Sequence, residues 1–281
     1  MYSFDYVLAH TRGVRKILRW VNTQRISRLK LSEQEKMKSD KLHLSNFENK
    51  VFSQNGEDGI IEEIFKRIGT TNKFFVEFGV ENGNECNSRQ LLENKSWSGL
   101  WMDGSDKNVA WGLKKFSHLP INFQSTFVTA ENIEGLLEKF EVPQEPDLFV
   151  IDIDGNDFWV WKTIEKYRPR VMILEYNASH EADVDWVMPY NSTHVFDGTS
   201  YFGASLLALD KLGKEKGYTL VNCDSRGVNA FFVRNDLLGN HFSHTDLGSK
   251  YFYMSPKYNC FFYGHPKGKG PWIKGEFSPV H

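Results

Sequence analysis

Four short apolar runs, each carrying a carboxylate at or beside its end, constrain this chain more than any other feature. They read Phe74-Phe75-Val76-Glu77-Phe78, Gly99-Leu100-Trp101-Met102-Asp103, Leu148-Phe149-Val150-Ile151-Asp152 and Val171-Met172-Ile173-Leu174-Glu175. Runs this short and this continuously apolar suit strands buried on both faces. Helical patterns separate them. Ile60, Ile61, Ile64, Phe65 and Ile68 form one face of a helix that starts within Ser53-Gln54-Asn55-Gly56-Glu57-Asp58, with Ser53 or Asn55 as its cap. Further helices are expected through Arg89 to Leu92, Val109 to Phe116, Ile133 to Phe140 and Ser205 to Lys216, with a strand over Ile121 to Val128. Strands alternating with helices predict a doubly wound α/β domain around a mostly parallel sheet. Tyr218 to Cys223 and Ala230 to Arg234 have no helix between them, which predicts an antiparallel pair at the edge.

The 281 residues suit one large domain with small appendages. Residues 1–45 read as a basic helical extension, 46–240 as the α/β domain and 241–281 as an aromatic tail packing on it. In the extension, Val14, Ile17, Leu18 and Val21 share a helix face beside Arg12, Arg15, Lys16 and Arg19. Two roles stay open for it: packing on the domain or on a second copy in a homodimer, and peripheral contact with an acidic membrane surface or carrier. The formal net charge of −2 gives no basis for a nucleic-acid partner. Cys86, Cys223 and Cys260 are odd in number and far apart, so neither a zinc site nor a disulfide framework is expected. No apolar run is long enough for a transmembrane segment, and the polar first residues lack a signal-peptide core. The expected compartment is the cytoplasm.

Ligands of open α/β sheets bind beyond the carboxyl ends of the strands. The residues there are Glu77, Asp103, Asp152 with Asp154, and Glu175, so the edge is lined with acids. The first loop reads Glu77-Phe78-Gly79-Val80-Glu81-Asn82-Gly83. Gly79 allows a tight turn and close backbone approach. A dinucleotide loop would face a pyrophosphate, which Glu81 and Glu85 would repel. They suit a ligand with a sulfonium and an ammonium group, as in S-adenosylmethionine. Asp103, at the end of the next strand, suits a carboxylate that accepts hydrogen bonds from both ribose hydroxyls.

These segments, with Trp101-Met102-Asp103 and Asp152-Ile153-Asp154-Gly155-Asn156-Asp157, carry a family resemblance. Residues 50 to 235 resemble class I S-adenosylmethionine-dependent methyltransferases, above all the FkbM-like group and related enzymes of bacterial surface-polysaccharide clusters. The resemblance implies a Rossmann-like, seven-stranded sheet whose last strand is antiparallel. It implies that Glu77, Gly79 and Gly83 form the first cofactor-binding turn and that Asp103 takes the ribose. It further implies that Ser125 to Thr129, with Thr126, lie near the adenine and that Gln54 and Ser88 lie near the methionine moiety. The implied acceptor is a small carbohydrate-linked molecule, such as a capsule building block.

Strand alternation puts Asp152 and Asp154 on one face. Two readings stay open there. Asp152 takes the cofactor's ammonium group while Asp157 caps a helix, or Asp154, Glu175 and Asn177 ligate a hard cation such as Mg²⁺. Methyl transfer to a hydroxyl or amine needs a general base, and Asp154, Glu175 and His180 are the candidates. The long loop from Ala182 to Gly203, with Tyr190, His194 and Tyr201, reads as part of the acceptor pocket. Two rival classes remain: a metal-dependent glycosyltransferase using Asp152-Ile153-Asp154 as a DxD element, and a non-catalytic module for a protein partner.

Overall fold

A computed structural model describes residues 39–256. The helix expected around Val14 and the part of the expected aromatic tail from position 257 onward lie outside the described residues. The α-helices are α1 (Glu57–Ile68), α2 (Arg89–Asn94), α3 (Asp106–Phe116), α4 (Ile133–Lys139), α5 (Asp157–Thr163), α6 (Leu206–Glu215) and α7 (Ser249–Phe252). The strands are β1 (Phe74–Phe78), β2 (Ser98–Asp103), β3 (Ile121–Ser125), β4 (Leu148–Ile151), β5 (Val171–Glu175), β6 (Tyr218–Cys223) and β7 (Asn229–Arg234). Among the described residues no helix is long and apolar enough to cross a membrane.

The strands form one seven-stranded sheet in the order β3-β2-β1-β4-β5-β7-β6. The first five pair in parallel, and β7 runs antiparallel to both β5 and β6. The closing pair is therefore antiparallel as expected, but its antiparallel member lies inside and β6 forms the edge. The crossover through α6 carries β6 past one strand position, and the returning β7 fills the gap. Alternate strand residues feed two apolar layers. Phe78, Met102, Ile151 and Leu174 join one, while Phe75, Trp101, Val150 and Ile173 join the other. Sheet faces covered on both sides explain why the strands read as unbroken apolar runs.

Local chemistry sets the helix ends. The cap of α1 is Gly56, at φ 107°, rather than Ser53 or Asn55. Ser53 still serves that helix, because its hydroxyl accepts from the Asp58 N–H at 3.1 Å. The Asp58 carboxylate in turn accepts from the N–H groups of Val51, Phe52 and Ser53. This exchange fixes the loop that carries Gln54. Ser105 and Ser205 cap α3 and α6 through their hydroxyls.

Chain order reverses at β1, which has β2 on one side and β4 on the other. A crevice opens where loops leave such a switch point in opposite directions. The third strand stops at Ser125, so 126–128, expected to continue it, become part of that crevice wall.

Candidate functional site

Two adjoining cavities occupy the crevice, and Gly79, Glu81, Asp152 and Asp154 line both. One, of about 150 Å³, is also walled by Asp103, Thr126, Phe127, Asn156 and His194. The other, of about 240 Å³, adds Gln54, Glu77, Glu85, Asn87, Glu175 and Val228. No lysine or arginine is among the residues lining either cavity.

Gly79 joins them. Its φ is 74°, and a Cβ there would lie 1.6 Å from the Asp152 carbonyl oxygen. Only glycine lets the loops after β1 and β4 approach this closely. Asp103 stands across the smaller cavity. One carboxylate oxygen accepts from the Glu81 N–H and the other from the Ser105 N–H, both at 2.8 Å. Burial raises its pKa against those bonds, yet each carboxylate oxygen has lone-pair capacity left for a ligand hydroxyl. Glu81 and Asp154 both have left-handed backbone, at φ 50° and 53°. Such conformations cost about 1–3 kcal/mol and collect at functional sites.

Glu77 also borders the larger cavity, but its carboxylate is committed to the protein. It accepts from Asn87 N at 2.7 Å, from Ser88 N at 2.8 Å and from the Ser88 hydroxyl. It thus ties the start of α2 to the end of β1. Asp157 does the same for the next turn, accepting from Ile153 N and Gly155 N at 2.9 Å. That grip bends the chain through Asp154, which borders both cavities.

Several expected site residues lie elsewhere. Ser88 is fully buried, and its hydroxyl accepts from the Trp101 indole at 2.7 Å, so it holds the scaffold and lines neither cavity. Gly83, at φ 80°, makes room for the rings of Trp101 and Phe116; a Cβ there would lie 2.8 Å from the nearer ring, and the residue too sits off the cavities. Asn177 donates to the carbonyls of Ser200 and Phe202 and accepts from Ser179 N, so it turns away from Asp154 and Glu175. Asp152 takes its place instead: ligand atoms of Asp152, Asp154 and Glu175 lie within 4.8 Å of one another. His180 stacks on Trp186 with ring centroids 4.3 Å apart, and burial lowers its pKa. It lines neither cavity. Of the loop residues, Tyr190 bonds Glu131 and Tyr201 packs on Trp186, whereas His194 enters the smaller cavity. Gln54, Glu77, Gly79, Asp103, Thr126, Asp152, Asp154 and Glu175 line the two adjoining cavities.

With the geometry in hand, comparison with known proteins decides the family. A model of the methyltransferase FkbM domain matches residues 44–220. The chain belongs to the FkbM methyltransferase family. No curated protein matches. Among solved structures, the chain is similar to the CMeT domain of the citrinin polyketide synthase at 16% identity, over 63% of this chain and 51% of that one, with a TM-score of 0.44. It is also similar to an S-adenosylmethionine-dependent methyltransferase from Clostridium acetobutylicum at 12% identity, over 63% and 90%, with a TM-score of 0.40. The chain thus spans about half the length of the polyketide synthase domain. Membership in the FkbM family supports S-adenosylmethionine as the methyl donor.

Three buried carboxyls are held above the ordinary carboxylate range. Burial pushes Glu77 up to about 7 against its bonds from Ser88 and Asn87, and pushes Asp157 up to about 6 against those from Ile153 and Gly155. Asp224, buried near Glu57, is raised by burial first and by that carboxylate second. Folded pKa values above the unfolded ones mean that the native state binds more protons between the two. Their contribution is fully present below the unfolded values and is lost as pH rises through the folded ones. Thermal melting should therefore give a higher Tm at about pH 6 than at about pH 8. Glu77→Gln should flatten the profile, and an unchanged slope in that variant removes Glu77 as a contributor.

Proposed function

We propose that this chain is an S-adenosylmethionine-dependent methyltransferase acting on a hydroxyl or amine of a small polar acceptor. One observation carries the reading: a single crevice joins a chamber ending on Asp103 to a chamber rimmed by carboxylates. The donor set fits the cofactor. Asp103 accepts hydrogen bonds from ribose hydroxyls, and Phe127, 46% exposed, offers a flat surface beside Thr126 for the adenine. Glu81 and Asp152 complement the positive end of the ligand, and Gln54 offers an amide near it. Such a ligand supplies a methyl group already activated on sulfur.

The protein's remaining task is to align the acceptor and remove its proton. Asp154 and Glu175 border the larger chamber and are the groups we assign to that step. A carbohydrate-linked acceptor, of the kind built into capsules, is favoured by the resemblance to the surface-polysaccharide group. The absence of cationic lining among the described residues disfavours a diphosphate held directly by the protein.

Calorimetric titration with S-adenosylhomocysteine tests this. Wild-type protein should bind, and Asp103→Ala should weaken binding about 100-fold, since charged hydrogen bonds are worth about 1.5–3 kcal/mol each. Binding only of a UDP-sugar with Mn²⁺ sinks the proposal in favour of glycosyl transfer. Repeating the titration with Mg²⁺ and with EDTA tells whether Asp152, Asp154 and Glu175 take a cation.

A further inference from the structure

The smaller chamber is built from strand ends, with one exception. Gly79 follows β1, Asp103 ends β2, Thr126 follows β3, and Asp152 to Asn156 follow β4. His194 comes instead from the long loop after β5, which the sequence assigns to the acceptor. Several contacts bring it there. Asn156, buried at the start of α5, donates its amide to the Asn191 carbonyl at 2.7 Å and accepts from Asn191 N at 3.4 Å. Trp159, one turn on, donates its indole N–H to the Met188 carbonyl at 2.8 Å. Asn191 O then accepts from His194 N at 2.9 Å, closing a turn. The imidazole lands on Gly155, where a Cβ would lie 2.3 Å from a ring carbon. Its Nε2 stands 3.2 Å from the Asp154 carbonyl oxygen. With Nε2–H donating there, Nδ1 is left as an acceptor.

We propose that His194 is a positioning residue for the nucleoside half of the methyl donor. Resting on the methyltransferase reading, this assigns the wall over the turn after β4 to a residue of the acceptor-side loop. The imidazole bounds the chamber laterally, and its bond to the Asp154 carbonyl fixes both its own plane and the left-handed turn at Asp154. Donor occupancy and the conformation of the 188–194 segment are then coupled.

Titration of the full chain with S-adenosylhomocysteine, and separately with adenosine, tests it. His194→Ala should raise both dissociation constants about tenfold, the scale of one hydrogen bond plus ring contact. His194→Gln keeps an N–H donor and should recover most of the loss. Gly155→Ala, which displaces the ring, should weaken both ligands alike. A half-buried loop residue carries little of the fold, so His194→Ala should melt near wild type. Unchanged affinity in His194→Ala, with Asp103→Ala still defective, overturns this role and leaves the proposed function standing. Wild-type protein that binds neither ligand overturns both.

Discussion

Gly79→Ala should abolish S-adenosylhomocysteine binding and destabilise the fold. The added Cβ would sit 1.6 Å from the Asp152 carbonyl oxygen and 2.7 Å from its carbon. Neither atom can rotate away, because both are backbone. The residue is also held at φ 74°, which costs an L-residue about 1–2 kcal/mol. Overpacking adds about 1–3 kcal/mol where neighbours can move, and more where they cannot. A total of about 3 kcal/mol or more follows. The two loops would have to part, and Gly79 and Asp152 line both chambers, so affinity falls with stability. Gly217→Ala separates the causes. It shares the left-handed backbone, at φ 81°, but a Cβ there meets nothing within 4 Å. That variant should lose about 1 kcal/mol in chemical denaturation and bind normally. Gly79→Ala protein that titrates like wild type would mean that the crevice is not the cofactor site.

The contrast between these glycines bears on how far the sequence can be read. Periodicity locates every strand but β3 to within a residue, because the two-sided burial of Phe75 and Val76 or Val150 and Ile151 writes itself as an apolar run; β3, exposed along part of its length, ends three residues early. Strand-end acids are legible for the same reason: Asp103, Asp152 and Glu175 are the first polar residues after such runs. What each acid does is not legible. In the β1–β2 register Glu77 lies opposite Trp101, two residues short of the level of Asp103, and its carboxylate is committed to the Asn87 and Ser88 N–H groups, while Asp103 keeps a face toward the smaller chamber. The loop that follows decides this, and its turn depends on contacts distant in sequence. Asn177 and His180 fall outside the site for a similar reason. Their partners, Ser200, Phe202 and Trp186, lie in the long loop and leave no local periodic trace. His194 carries a faint signal, a ring-bearing polar residue in a loop too long for a simple connection. Asn156, far away in sequence, holds the turn that brings it to the crevice.

Asp147→Ala should cost about 3–5 kcal/mol while leaving ligand affinity per folded molecule intact. Asp147 lies fully buried just before β4, at the opposite end of that strand from Asp152. One carboxylate oxygen accepts from Lys73 N at 2.7 Å and Asn72 N at 3.1 Å; the other accepts from the Thr71 hydroxyl at 2.9 Å and the Arg170 guanidinium at 2.8 Å. Arg170, also buried, donates onward to the carbonyls of Ile68 and Gly69 at the end of α1. The pair thereby joins α1, β1, β4 and β5 at the amino-terminal edge of the sheet. Removing the acid strands the N–H groups of the 71–73 turn and leaves a guanidinium in a site with no counter-charge in contact. An unpaired buried charge is costlier than an apolar replacement of the whole pair. The double variant Asp147→Ala with Arg170→Met should therefore be less destabilised than the sum of the single ones, by about 1 kcal/mol or more in a denaturant-melt cycle. A four-residue strand separates this pair from the crevice, roughly 13 Å at about 3.3 Å per residue. Strict additivity in the cycle would show that Arg170 finds other partners and that the pair is not the clamp. Normal S-adenosylhomocysteine affinity beside a large loss of stability would assign the two ends of β4 to different tasks: the carboxyl end to the ligand, the amino end to the integrity of the sheet.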